Sequence, residues 1–157
     1  MDGMSGWRYA VAAAFVLVAW SAWAETPNAG TATVATRHAF DALVTRVEQA
    51  VQANKMGVVA MASASRAAAA RGVKIPGNAV VMVFRNDYAV RMLEASVPAG
   101  IEAPLRIYVT ENPDGTSSLT WRRPSAVFAP YGSAALDAMA KELDPVFEKI
   151  VKDATAQ

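Results

Sequence analysis

The spacing of apolar and polar residues changes period several times along the chain, and each change predicts an element. Val80 to Phe84 is an unbroken apolar run rich in β-branched residues, which predicts a central strand covered on both faces. Leu105, Ile107 and Val109 alternate with Arg106, Tyr108 and Thr110, a period of two that predicts a strand with one core face and one wetter face. Asn112-Pro113-Asp114-Gly115 closes a hairpin, and Leu119 and Trp121 continue the alternation on the return strand. Upstream, Phe40, Leu43, Val44, Val47 and Val51 recur at helical spacing, with Asp41 near the start, Lys55 near the end and Gly57 placed as the stop. Downstream, Leu136, Met139, Ala140, Leu143, Phe147, Ile150 and Val151 form one stripe behind a Ser133 cap, with a kink or restart expected at Pro145.

The smaller pieces fill the gaps. Thr31 to Arg37 reads as an edge strand and Val58 to Met61 as a short strand. Ser63 or Ser65 can cap a helix over Arg66 to Arg71 that Gly72 ends. Asp87 can cap a helix through Met92, Leu93 and Ala95, and Pro98, Gly100 and Pro104 bracket an irregular link. The sum is an α+β fold, a mostly antiparallel four- to five-stranded sheet packed under two long helices. If the opposite parity packs inward, Val81, Val83 and Tyr108 project from the second sheet face, which is then partly apolar and free for a ligand or partner.

The first 24 residues stand apart from this pattern. One basic residue, Arg8, precedes an apolar run from Tyr9 to Trp20, and Ala22-Trp23-Ala24 ends it as an A-x-A site. That is the form of a signal peptide, with cleavage at about Ala24 and a periplasmic or secreted product that no longer holds the membrane. Retention as an anchor is the other reading, although Tyr9 to Ala24 is shorter than the roughly 20 residues a span requires. Residues 25–30 form a Pro/Gly-containing spacer, 31–153 a single domain and 154–157 a fraying tail.

Charge and composition then narrow the chemistry. The net charge of +1 survives loss of Asp2 and Arg8 with the leader, and gives no footprint for nucleic acid. Absence of cysteine removes disulfides, thiol catalysis and thiolate metal sites. His38 is the only histidine, there is no G-x-S-x-G elbow, no P-loop and no G-x-G-x-x-G, and no cofactor is called for. Carboxylates at Asp87, Glu94, Glu111 and Asp114 keep a small hydrolase or isomerase as an alternative. The sharper candidate is a polar cluster of Arg85, Asn86, Arg106, Tyr108, Trp121 and Arg122, since arginine with aromatics holds an anionic or apolar-anionic ligand. Trp121 and Arg122 have opposite parity and share a side only if a bulge intervenes. A non-enzymatic binding domain, or a structural subunit of a periplasmic assembly, fits this inventory.

The ordered set of features resembles the domain of unknown function family 302. The residues that carry the resemblance are Phe40 to Gly57, Ala67 to Gly72, Val80 to Phe84 with Arg85-Asn86-Asp87, Ala103-Pro104-Leu105, Asp114-Gly115, and Trp121 to Pro124. The resemblance spans about residues 31 to 153 and implies a TATA-binding-protein-like layout of strand, helix, four strands and helix, with a homodimer and no particular reaction. Arg85 and Asp87 stand where the family's loop has glycine and proline, and Trp121 where tyrosine is usual.

Overall fold

The computed structural model describes residues 30–157; the expected leader and the spacer up to residue 29 lie outside the described residues. Five strands form one antiparallel sheet: β1 (Thr31–Ala35), β2 (Gly57–Ala62), β3 (Asn78–Phe84), β4 (Leu105–Glu111) and β5 (Ser117–Arg122), in the order β1-β5-β4-β3-β2. Five helices connect or cover them: α1 (Phe40–Ala53), α2 (Ala64–Ala69), α3 (Asn86–Ala95), α4 (Pro124–Phe128) and α5 (Ala134–Thr155). The two long ones, α1 and α5, pack on each other and on one face of the sheet, while α2, α3 and α4 are short inserts. This is the strand, helix, four strands, helix order that the sequence predicts.

Parity decides which face is covered. Along β3 burial alternates strictly, so that Ala79, Val81 and Val83 face the helices while Val80, Met82 and Phe84 face away. Val81 is 0% exposed, so Val81 and Val83 are core residues and do not project from the second face; Tyr108, at 41%, does. The all-apolar run in β3 is therefore covered on one side only, because both long helices lie on the same side. Val81 pairs with Ile107, which pairs with Trp121, which pairs with Ala32, giving a continuous inner row across four strands. Val80, Tyr108, Thr120 and Thr33 form the matching outer row, and the Thr33 and Thr120 hydroxyls bond across it at 2.9 Å.

Several ends differ from expectation for local reasons. Lys55, at φ 59°, makes the left-handed turn after α1, and Gly57 is already the first residue of β2. Asn54 takes over the stop by donating to Ala50 O and to Asp153 Oδ2. Ser63, not Ser65, caps α2. α3 opens at Asn86 with Arg85 as its cap residue, so Asp87 sits inside the first turn. The link bracketed by prolines is a 3-10 turn over Val97–Glu102, and α4, starting on Pro124, was not foreseen from the pattern.

Pro145 lies within α5 without ending it. Buried residues continue on one stripe on both sides of it, Leu136 to Leu143 before and Phe147 to Ala154 after. That burial outweighs the roughly 3 kcal/mol a mid-helix proline costs. Asp144 accepts from the Ser125 amide at 2.9 Å, joining α4 to the same turn. Residues 154–157, expected to fray, are instead helical to Thr155, with Ala154 fully buried. Arg46 explains this: its Nε donates to Ala154 O at 2.8 Å and its Nη2 to Ala156 O at 2.6 Å, filling carbonyls that a helix end leaves unpaired. His38 Nε2 lies 3.0 Å from Ala156 O as well, so the single histidine serves this end of the helix.

A one-sided core gives a direct expectation. Phe147→Ala, which empties a fully packed site, lowers unfolding stability by about 3–5 kcal/mol in urea titration. Val59→Ala, on the exposed part of β2, stays within about 0.5 kcal/mol.

Candidate functional site

The register of β4 with β5 runs without a shift from Glu111–Ser117 to Ile107–Trp121 and stops there. β5 goes on to pair Arg122 with Thr31 of β1, but Leu105 and Arg106 of β4 have no partner in β5. A pocket of about 240 Å³ opens at this end of the sheet. Thr31, Arg106, Tyr108, Thr120 and Arg122 line it from the outer face, and Leu105, Trp121 and Val127 from the core side. Trp121 and Arg122 thus share one pocket with no bulge between them. A ladder running the full length of both strands would keep them on opposite sides, and here the ladder ends one residue early.

Four of the six residues singled out in the sequence, Arg106, Tyr108, Trp121 and Arg122, come together in this pocket. Its polar groups are left short of partners. Trp121 is 8% exposed, and its Nε1 is buried with no hydrogen-bond acceptor; Arg122 Nε is buried and equally unpaired. A buried unsatisfied donor costs about 1–3 kcal/mol, so two on adjacent residues lining one pocket call for an explanation. A third such atom, Ser117 Oγ, lies at the far end of β5. Arg106 keeps only a loose ion pair, 3.7 Å to Glu102, and Glu102 also accepts from the Tyr131 hydroxyl at 3.1 Å. Burial and that carboxylate both push the Tyr131 hydroxyl above its ordinary range.

Arg85 and Asn86 do not join the cluster. Arg85 holds both oxygens of Asp87, at 2.7 and 2.9 Å, and stacks 4.2 Å from the Tyr88 ring centre. It borders a separate cavity of about 30 Å³ on the other side of Leu105, lined by Met56, Met92 and Met139. Asn86 is exposed at the start of α3. Three of the four carboxylates kept for an acid/base role are engaged elsewhere, and the fourth, Glu94 on α3, does not line the pocket. Glu111 accepts from the Gly77 amide at 2.7 Å, and Asp114 from the amide and hydroxyl of Thr116. Thr116 lowers the Asp114 carboxyl and Arg85 lowers that of Asp87, which suits fixed acceptors better than proton donors. Among the described residues no group of three or more His, Asp or Glu is placed to hold a metal.

Sequence reasoning missed Leu105 and Val127 as the apolar floor, since neither carries a polar signal. It also missed a run of exposed apolar side chains on α3 and the turn that follows it. Val90 and Leu93 of α3 are followed by Val97 and Ile101 of the 3-10 turn, the last two 73% and 82% exposed. Leu93 lies so close to Gly100 that a side chain there would crowd it, which makes the run continuous.

The depressed Asp87 carboxyl sets a pH expectation. It stabilises the fold only while ionised, above the ordinary carboxylate range, and that contribution is lost as pH falls below about 4. The thermal midpoint of the unmodified chain should therefore exceed that of Asp87→Asn at pH 7, with the gap closing in acid.

No functionally curated protein matches the sequence. The fold is similar to that in the crystal structure of an uncharacterized conserved protein DUF302 from Bacillus stearothermophilus, with a TM-score of 0.71 at 17% identity, covering 82% of this chain and 99% of that one. The model of the family described as "Domain of unknown function DUF302" matches residues 32–154, the whole sheet but its first residue and all five helices almost to their end, and the chain belongs to that family.

Proposed function

We propose that this protein is an exported, non-enzymatic binding domain whose ligand, a small anion, seats in the pocket at the open end of β4 and β5. The observation that carries the reading is the pair of buried, unpaired donors, Trp121 Nε1 and Arg122 Nε, beside the thinly paired guanidinium of Arg106. Both residues line the pocket, so a modest shift of either side chain would turn its unpaired donor toward an acceptor that enters from outside. Export rests on the leader-like residues 1–24, and absence of a catalytic role on the prior commitments of Glu111, Asp114 and Asp87. In the periplasm the product is free of the membrane and carries no cofactor.

A second reading, a subunit that works by docking, is favoured by the exposed run of Val90, Leu93, Val97 and Ile101. The same run supplies the contact for a homodimer. The two readings use different surfaces and are separable.

Native mass spectrometry of the protein recovered from its own periplasm should show a start at Glu25 and a retained small molecule. The double variant Arg106→Ala, Arg122→Ala should keep its circular dichroism but lose that molecule; retention would contradict the anion site. Val97→Ser with Ile101→Ser should leave the retained ligand unchanged and shift any dimer to monomer in light scattering.

A further inference from the structure

We infer that the anion is the head of an amphipathic monocarboxylate, its carboxylate held by Arg106, Arg122 and the Trp121 indole, and its apolar body laid on Leu105 and Val127. This rests on the anion-site reading above and adds the chemical class. Three features select it. Charge comes first: Glu102, 3.7 Å from Arg106, offsets one of the two guanidiniums, and the site is left with one net positive charge, suited to a monoanion. Shape comes second. A guanidinium fork meets the two oxygens of a planar carboxylate in parallel bonds, and an indole N–H gives one further bond in a fixed direction. The floor comes third. Leu105, Val127 and the Trp121 ring belong to the core layer, and the pocket reaches them because the β4–β5 ladder stops early. A hydrated phosphate gains nothing from such a floor, whereas an alkyl chain gains about 0.8 kcal/mol per buried methylene. At about 240 Å³ the pocket is smaller than the roughly 300–1,000 Å³ of sites for larger ligands, which limits the body to a short chain or one ring.

Trp121 gives the measurement its probe. The chain has four tryptophans, at positions 7, 20, 23 and 121, and only the last is among the described residues. In a full-length chain with Trp7→Phe, Trp20→Phe and Trp23→Phe, emission reports on the pocket alone. Octanoate should change that emission saturably, at least tenfold tighter than either inorganic phosphate or 1-octanol. Calorimetry on the unmodified chain should show octanoate affinity falling about tenfold in Trp121→Phe, which keeps a ring and loses the N–H, and falling further in Arg122→Gln. Circular dichroism and thermal unfolding verify that each variant is folded. Phosphate binding as tightly as octanoate would overturn the amphipathic assignment and leave the anion site standing. Equal binding of octanoate and 1-octanol would overturn the carboxylate assignment. Should octanoate, phosphate and octanol all leave emission and heat unchanged, the anion site falls together with its ligand class.

Discussion

The structure depends on one choice of parity. In an antiparallel sheet each strand can commit only alternate residues to a given side, and β3, β4 and β5 all commit the same rows to α1 and α5. Ile107, between Val81 and Trp121, is the centre of that commitment. A one-residue slip would send Arg106 and Tyr108 into the core and bring Ile107 and Val109 to solvent, which is why the register is firm. With stability drawn from one side, the other side is free to carry charge and hydroxyls at little cost to folding.

The pocket is a by-product of how that sheet ends. Where β4 and β5 are laddered, the two sides are sealed from each other by backbone pairing. Where the pairing stops at Ile107 and Trp121, outer arginines and inner apolar groups meet in one cavity. α4 makes this useful rather than merely loose, since Val127 closes the cavity from the core side. Asp144 of α5 holds the first turn of α4 in place by accepting from the Ser125 amide, so the element that carries Val127 is tied to α5.

Much of the fold was legible because periodicity is a local property. The alternation in Leu105 to Thr110, the Asp114-Gly115 turn with its positive φ at Gly115, and the Phe40 and Leu136 stripes all appear where spacing places them. What was not legible depended on distant partners. No spacing rule shows Arg46 reaching the end of α5 from α1, or Asn54 replacing Gly57 as the stop of its helix. The proline in α5 survives because that helix is buried against α1 and α3, which are distant from it in sequence. For the site, residue type found Arg106, Tyr108, Trp121 and Arg122, but Arg85 failed because a neighbour two residues away, Asp87, consumes its donors. Ladder ends are set by tertiary packing, and strict parity could not reveal that Trp121 and Arg122 meet.

Open sheets leave two borders, here β1 and β2. β1 has five residues, and the β2 register slips between Val58 and Ala60 as it pairs with β3, a bulge that bends the strand away from flatness. Neither border offers a straight template on which another chain could continue the backbone pairing. Polymerisation by strand addition, the standing hazard of a sheet with open edges, is therefore discouraged by the borders themselves.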